Sequence, residues 1–424
     1  MPFLSRCTRA ALVLLAPLVI AATPALAVGA QSPLTLGEAQ RLAVDRSREL
    51  GAQALGVAAS REMAVAAGQL PDPVVSLGVE NLPADGADRF NITRDFMTMR
   101  RIGVAQELTS ADKLRLRAER FELEAQKGVA EQAATLASIQ RDAALAWFDA
   151  SFTGRVVVAL ADQRARALQE VTASEAAYRA GKGSQADVFM AQGALAMLDD
   201  RAAAAMRSAR SARTMLARWT GESDARPLAP IPDLGALRAG ASGFRDGLEG
   251  HPEIVVMARR EAIAEADARI AQAARWPDWT VQLAYSLRGP AYANMISLGV
   301  SIPFPWDRAN RQDRDVAAKR AVAEQAGAQR EETLRKHVAE VRVMEEEWAS
   351  NRERLVRYER EIIPLAVGRA DATLAAYRGG KSGVGEVLAA RRNELEARLQ
   401  ALQLEAETAR LWAQLNYLFP EEAK

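Results

Sequence analysis

The chain contains the same series of short motifs twice, and this duplication constrains its fold more than any other feature. Tyr-Arg-Ala-Gly-Lys at 178–182 returns as Tyr-Arg-Gly-Gly-Lys at 377–381. Pro71-Asp72 likewise returns as Pro277-Asp278. Because the offset is about 200 positions, the repeated unit is a whole subdomain rather than a solenoid repeat of ~20–50 residues. The sequence therefore predicts two copies of one structural unit.

Residues 1–27 have the layout of a cleaved secretory signal. Arg6 and Arg9 precede an apolar run, and Ala25-Leu26-Ala27 supplies the small residues of a cleavage site. The run is shorter than the ~20 apolar residues of a membrane anchor, so we expect its removal. The only cysteine, Cys7, precedes the run. We therefore expect no lipid anchor, no disulfide and no thiolate metal site in the mature chain.

The composition excludes some function classes and favours helices. With 55 basic and 54 acidic residues, the chain has no overall field that would attract nucleic acid. Charged residues make up 26 % and aromatic residues 5 %, a balance that favours long helices over a bulky globular core. The mature sequence shows no continuous apolar stretch of 18 residues, and on that basis we expect no membrane-spanning helix after the signal.

Helical spacing of apolar residues, with few interruptions by proline or glycine, predicts most of the chain to be helical. Pro364 falls inside the second long helix and is expected to kink it without ending it. In each half we predict a short helical pair, a long helix and a return helix. For the first half, residues 28–220, these are 35–69, 111–178 and 184–219. For the second half, residues 251–424, they are 243–274, 309–377 and 383–418, so that its opening pair begins within the preceding connector. The two halves are joined by a connector rich in Pro and Gly at 221–250.

Four other segments alternate apolar and polar residues with a period of two, which predicts strands at about 73–82, 99–109, 279–288 and 294–304. In the third, apolar Val281, Leu283, Tyr285 and Leu287 alternate with Gln282, Ala284 and Ser286. Such strands form either a small sheet on a helical core or a barrel wall between lipid and a wet lumen. Because four strands cannot close around a lumen, a barrel would have to be shared between chains.

This order of elements resembles the outer-membrane efflux channel family, which is TolC-like. The resemblance covers about residues 34–419 and rests on the repeat order, the two Tyr-Arg-x-Gly-Lys tips and Pro364. It implies a mainly α fold with a β-barrel part. In such a fold, a duplicated unit of long antiparallel helices forms a coiled-coil-like tunnel, and four amphipathic strands per chain contribute to a trimeric 12-stranded outer-membrane barrel.

Three segments are similar to the heavy-metal branch of tripartite resistance-nodulation-division systems: Leu70–Pro73, Gly78–Pro83 and Thr93–Val104. The resemblance implies an exit duct for heavy-metal cations in the outer membrane of a Gram-negative bacterium, extending into the periplasm. The implied partners are two further copies of the chain in a homotrimer, outer-membrane lipid, a periplasmic adaptor (membrane fusion) protein and an inner-membrane proton-driven pump. Three alternatives stay open: a channel of the same family for drugs or polypeptides, a periplasmic adaptor, and a coiled-coil scaffold that is not a channel.

The sequence offers little that would support catalysis. His251 and His337 do not fall at the spacing of paired metal ligands, and there is no phosphate-binding loop or nucleophile elbow. The methionines are spread over helices and strands, as packing residues are. We therefore expect no enzyme activity, no cofactor and no metal site.

The duplicated tips are the candidate functional site. Their glycines permit a tight reversal, and Ser184 with Asp187 has the spacing of a helix-capping pair that Gly383 and Glu386 repeat. In the resembled family these hairpin ends form a closed periplasmic aperture and contact the adaptor. Charges there either gate cations or belong to a solvated helix face. The candidate residues are Tyr178, Arg179, Gly181, Lys182, Ser184, Asp187, Arg369, Asp371, Tyr377, Arg378, Gly380, Lys381 and Glu386.

Overall fold

The computed structural model describes residues 32–221, 226–237 and 247–421. The predicted signal at 1–27 and much of the connector lie outside these residues. The first half contains α1 (Leu36–Asp45), α2 (Arg48–Ala67), β1 (Val74–Glu80), β2 (Met99–Leu108), α3 (Ala111–Arg179) and α4 (Gln185–Thr220). The second half contains α5 (Pro252–Ala273), β3 (Trp279–Leu287), β4 (Met295–Ser301), α6 (Gln312–Arg357), α7 (Ile363–Arg378) and α8 (Val384–Asn416).

The two halves follow the same order, with one difference at their starts. The first half opens on the helical pair α1 and α2, which are capped by the side chains of Thr35 and Ser47. In the described part of the second half, a single 3-10 turn at Leu248–Gly250 precedes α5. The division of the chain at 221–250 remains a prediction.

The long helix of the second half changes its hydrogen-bonding pattern next to Pro364, where the sequence predicted a kink. A π-helical turn, Tyr358–Ile362, joins α6 to α7 immediately before Pro364. Proline has no N–H to offer the carbonyl of Arg360 one turn earlier, and its ring crowds that carbonyl. In the π turn the N–H of Ile363 instead bonds the carbonyl of Tyr358. The helix therefore continues past Pro364 with a local change of pitch.

The main hydrophobic core lies midway along α3. Trp147 and Phe148 are fully buried against residues of α1, α4 and α8, and the Trp147 indole N–H donates to the carbonyl oxygen of Leu34 over 3.0 Å. By length and composition α3 could cross a membrane, with a mean hydropathy of 1.3 in its most apolar window. Of that window, 44 % is buried inside the protein, and the core helix of a helical bundle can pass the same test of length and composition.

Within the described residues, the four strands form one antiparallel sheet in the order β1-β2-β3-β4. Each half thus supplies one hairpin, and the two hairpins join along β2 and β3. The mainly helical architecture with a small four-stranded sheet confirms the predicted fold class. A buried ion pair of 2.8 Å, between Lys113 at the start of α3 and Asp278 before β3, also links the two halves.

Candidate functional site

The two central rows on one face of the sheet are apolar from edge to edge. The register aligns Val75, Val104, Leu283 and Leu298 in one row across the four strands. A second row aligns Leu77, Ile102, Tyr285 and Ile296. These side chains face outward; Leu283, for example, is 56 % exposed and Ile296 is 76 % exposed. An apolar surface of this extent marks a site of contact with lipid or protein.

The opposite face carries small and polar residues. Its central row contains Ser76, Gly103, Ala284 and Ser297. The Ser76 hydroxyl donates to the carbonyl of Gly103 over 3.4 Å, and a Cβ added at Gly103 would come within 2.8 Å of that hydroxyl oxygen. Ala284 and Ser286 are buried. The predicted separation of Val281, Leu283, Tyr285 and Leu287 from Gln282, Ala284 and Ser286 is therefore present in the sheet.

Exposed aromatic side chains lie at both ends of the sheet, a feature that the sequence reasoning missed. At the end next to the helices stand Trp276, Trp279, Phe304 and Trp306, of which Trp306 is 89 % exposed. The loops at the other end carry Phe90, Phe96 and Tyr292, also exposed. Aromatic residues gather in this way at the two borders of a bilayer. The tryptophans that flank the predicted strands were the available signal.

Two loops at the end of the sheet away from the helices contact each other. The longer one joins β1 to β2, and the Thr98 hydroxyl closes its base by donating to the carbonyl of Asn81 over 2.9 Å. The shorter one, 288–294, joins β3 to β4. Arg288 of the shorter loop donates through Nε to the carbonyl of Phe96 over 3.0 Å. The loops therefore form one structured cap.

The two hairpin tips have the same backbone geometry. At the end of α3, Gly181 adopts φ +66°, its N–H bonds the Tyr178 carbonyl and the Lys182 N–H bonds the Ala177 carbonyl. At the end of α7, Gly380 repeats this with φ +70° and matching bonds to Tyr377 and Ala376. This is a Schellman C-cap, whose left-handed residue favours glycine. The repeated Tyr-Arg-x-Gly-Lys motif thus encodes one turn used twice.

The caps that follow the two turns differ. Ser184 and Asp187 form the predicted capping box, and the hydrogen bonds from Ser184 lower the pKa of the Asp187 carboxyl. Gly383 caps α8 without a side-chain hydrogen bond. Since glycine has no side chain, Gly383 and Glu386 cannot repeat the reciprocal box.

The structure gives Asp371 a partner that the sequence did not identify. Asp371 lies near Arg369 and Arg378 in the sequence, but its ion pair is with Arg391 of α8, at 3.3 Å between Oδ1 and Nη2. Tyr377 and Arg378 line a cavity of about 140 Å³ together with Arg391. At the first tip, Arg179 pairs with Glu175 at 3.4 Å, one turn back on its own helix. Asp371 and Arg179 thus pair within their own hairpins.

Behind the second tip lies a buried charge network that sequence reasoning missed. Glu394 is 1 % exposed and accepts hydrogen bonds from Arg391 at 2.8 Å, Arg166 at 3.1 Å and Arg398 at 3.1 Å. Burial alone would raise the pKa of Glu394, but the hydrogen bonds from Arg391 and Arg398 outweigh it, and its pKa is lowered. Arg391 also lies 3.7 Å from Glu170, whose pKa is raised because burial outweighs the nearby arginines.

A clue to this network was present in the sequence. Val384 and Val387 fall on the buried stripe of α8, and Arg391 and Glu394 continue that stripe at helical spacing. Charged residues at core positions require partners, because an unpaired buried charge is costly. The partners on α3 and α7 depend on the packing of the hairpins, which the spacing within α8 does not specify.

Folding also brings together the two histidines, although they are 86 positions apart in the sequence. The rings of His251 and His337 lie 5.0 Å apart, and His337 Nε2 is 3.1 Å from Oε2 of Glu253. His251 caps α5, with its Nδ1 accepting the backbone N–H of Glu253 at 3.3 Å. Burial, aided by the charge of His337, lowers the pKa of His251 to about 4.

The fold and the sheet define a class: a duplicated helical-hairpin protein whose small sheet turns an apolar face outward. Residues 245–419 match the family model described as outer membrane efflux protein. A comparison with proteins of curated function finds no match. The family match covers the second half of the chain, from the start of α5 to the end of α8.

Solved structures share the fold over most of the chain. The outer-membrane channel OprN is 21 % identical with a TM-score of 0.77, covering 91 % of this chain and 90 % of its own. CusC, described through its folding and transmembrane channel formation, is 16 % identical with a TM-score of 0.76, covering 92 % and 93 %. The outer membrane protein VceC from Vibrio cholerae is 18 % identical with a TM-score of 0.74, covering 90 % and 95 %. At these identities the likeness establishes the fold.

Proposed function

We propose that this protein is the exit duct of a tripartite efflux system, a passive channel that crosses the outer membrane and continues into the periplasm. The observation that carries the proposal is the sheet, with an exposed apolar face on one side and small and polar residues on the other. In the wall of an outer-membrane barrel the apolar face would contact lipid, and the face with small and polar residues would line the lumen. A passive duct needs no catalytic residues, and energy would come from a partner pump.

The free edges of the sheet support a shared barrel. Within the described residues, β1 and β4 each pair on one side only, and an exposed strand edge is a template for pairing with another chain. In an antiparallel sheet of four strands the two edge strands run in opposite directions. β1 of one chain can therefore pair with β4 of the next in the same antiparallel manner. Three chains would supply twelve strands, enough to close around a lumen.

The strand lengths and the aromatic residues support the same placement. The central strands β2 and β3 have 10 and 9 residues, close to the ~9–11 that cross a bilayer at a tilt, and the edge strands β1 and β4 have 7 each. The tryptophans near the helices and the aromatic loop residues would lie at the two membrane borders. The helices would then continue from the inner border as the periplasmic tunnel.

The hairpin tips are the proposed contact with a periplasmic adaptor, which would connect the duct to an inner-membrane proton-driven pump. The argument for a channel over an adaptor is the pair of hairpins and the single shared sheet. An adaptor of such a pump is expected to have one hairpin between small β domains. The same sheet argues against a coiled-coil scaffold without a channel.

For the cargo we propose heavy-metal cations. The support is the resemblance of Leu70–Pro73, Gly78–Pro83 and Thr93–Val104 to the heavy-metal branch. Drugs or polypeptides are the competing cargo within the same class. Deleting the gene should sensitise the organism to metal salts, with recovery when the gene is restored. Sensitivity to drugs alone would favour the competing cargo. Whichever cargo is correct, the purified protein should form ion-conducting pores in a planar bilayer.

The loop cap is predicted to lie outside the cell. An epitope tag inserted beside Asp85, in the longer loop, should be bound by antibody on intact cells without loss of assembly, because the loop lies beyond the strands. A tag inserted after Gly181, at the first tip, is the matched control and should be reached only after the outer membrane is permeabilised. The reverse pattern would invert the proposed topology.

The second tip is the proposed gate. Asp371→Ala removes a carboxylate that is 63 % exposed, and the buried Arg391 keeps its ion pair with Glu394, so the change should cost trimer stability only about 0–1 kcal/mol. Arg378→Ala should be equally mild. Because three copies would act on one constriction, conductance in a planar bilayer should rise or lose its preference for cations. The control is Glu332→Ala, which removes an exposed pair with Arg335 on α6, far along the chain from the tip. Unchanged conductance in both tip variants would return these residues to an ordinary solvated helix face.

A further inference from the structure

The chain contains two histidines in all, and both lie in one cluster with a carboxylate on the helical scaffold. His251, Glu253 and His337 each place one potential ligand atom within 4.8 Å of the other two. We propose that these three residues form a binding site for a borderline divalent transition-metal ion, with Zn²⁺ as the representative ion. The site lies apart from the strands and the hairpin tips.

The donor set and the distances suit such an ion. Zn²⁺ binds imidazole nitrogen and carboxylate oxygen at ~2.0–2.2 Å, so donors on one ion stand roughly 3–4 Å apart. The closest pair, His337 Nε2 and Glu253 Oε2, is already 3.1 Å apart. The third donor, from His251, lies within 4.8 Å of the other two, so a side-chain rotation would have to close the remaining gap. Imidazole ligands favour zinc, copper or nickel over calcium or magnesium, which prefer oxygen.

The scaffold fixes the backbone positions of the three residues before any ion binds. His251 is the N-cap of α5 and precedes Pro252 at the first helical position, so its backbone is fixed. Glu253 stands in the first turn of the same helix. His337 belongs to α6, whose Val341 is buried with Leu248 and Leu415 in a separate small core. The ring of Phe419 packs 5.8 Å from that of His251 and covers one side of the cluster.

Helix capping and an ion pair account for only some of these contacts. They explain the bond from the Glu253 N–H to His251 Nδ1 and the approach of His337 to the Glu253 carboxylate. They do not require two imidazole rings to face each other at 5.0 Å with an interplanar angle of 36°. The cap bond, at 3.3 Å, is long and can yield to a metal ion. The positive charge of Arg141 opposes cation binding, but Asp142 pairs with it at 2.9 Å.

A bound ion would join the start of α5 to α6. This joint lies where the second half of the chain begins, directly after the connector. It would stabilise the contact between these helices in proportion to ion occupancy, because a ligand that binds the folded state stabilises that state. The metal site does not depend on the proposed transport role. If variants that lack the site still formed pores of normal conductance, the transport role would stand.

The test is a calorimetric titration of the full chain in detergent with Zn²⁺, using a preparation without a polyhistidine tag. We expect one ion per chain. His337→Ala and Glu253→Gln should each weaken binding by at least about tenfold, since even residues that only support metal ligands contribute 10–100-fold. X-ray absorption at the zinc edge should show nitrogen and oxygen ligands at ~2.0–2.2 Å.

The matched control is Glu340→Gln, which alters an exposed carboxylate on α6 that pairs with Lys336 and should leave binding unchanged. Glu253→Gln keeps the backbone N–H that donates to His251, so loss of binding in this variant cannot come from loss of the cap. Circular dichroism would verify that each variant is folded. The proposal is overturned if wild-type protein binds Zn²⁺ no more tightly than the double variant His251→Ala, His337→Ala.

Discussion

Replacing Leu283 by arginine is expected to block assembly of the protein in the outer membrane, whereas arginine at Gln282 is expected to be tolerated. Leu283 lies on the apolar face between Val104 and Leu298, and a charge there would face lipid in the proposed barrel. An arginine at the midplane of a barrel's lipid face costs about 2–4 kcal/mol in each chain. A trimer would bear that cost three times. The measurement is the amount of folded oligomer in outer-membrane fractions.

The neighbouring residue makes this a controlled comparison. Gln282 lies in the same strand on the opposite face, beside Ala105 and Gly299, where small neighbours leave room for a longer side chain. Both substitutions introduce the same charge at nearly the same depth, so they differ only in the face that receives it. Equal yields of folded oligomer from the two variants would contradict the assignment of the apolar face to lipid.

The second large effect, a loss of folding stability, is expected when Arg391 is replaced. Replacing it by alanine leaves Glu394 buried and removes the central cation between α3, α7 and α8. Loss of one partner of a buried ion pair typically destabilises a protein by 3–5 kcal/mol. Because Arg166 and Arg398 still donate to Glu394, we expect a loss near the lower limit, about 3 kcal/mol. The midpoint of urea denaturation in detergent micelles measures it.

Arg392 provides the control for this substitution, since it is the next residue of α8 and is exposed. Arg392→Ala should change stability by no more than about 0.5 kcal/mol, the usual range for surface substitutions. If Arg391→Ala proved as mild as Arg392→Ala, Arg166 and Arg398 would be sufficient to neutralise Glu394. The network behind the second tip would then not hold the hairpins together.

Elements set by local patterns were predictable from the sequence. The alternation from Val281 to Leu287 identified both the strand and its two faces, because neighbouring side chains of a strand point to opposite sides. The duplicated Tyr-Arg-x-Gly-Lys motif predicted two equivalent turns, since a left-handed residue at a helix end favours glycine. Pro364 marked the change of helical pitch for an equally local reason.

Contacts between distant segments were not predictable in this way. The pairing of Asp371 with Arg391 depends on how α7 and α8 pack side by side, and no motif records that packing. His251 and His337 likewise meet because α5 lies against α6. The criterion of a continuous apolar run also passed over the most apolar stretch of α3. Its Asp149 and Arg155 break the continuous apolar run that the sequence criterion required, whereas an average over the window tolerates them.

The central claim is that sheets from three chains close into one barrel, and crosslinking at the strand edges tests it directly. Ser76 on β1 and Ser297 on β4 lie in the same row of the sheet, on its small and polar face. Three strand spacings of about 4.8 Å separate them by about 14 Å within one chain, too far for a thiol crosslinker shorter than about 10 Å. Cysteines placed at both positions can therefore be joined by such a reagent only between chains.

The account predicts that Ser76→Cys combined with Ser297→Cys gives a ladder of crosslinked dimer and trimer that ends at the trimer. Reagents of several lengths below that limit would allow for the unknown stagger between neighbouring chains. Either single variant alone should give no trimer, because its cysteines are all on the same edge. A folded, membrane-extracted protein that stays monomeric with every reagent, or a ladder that continues beyond three chains, would contradict the closed twelve-stranded barrel.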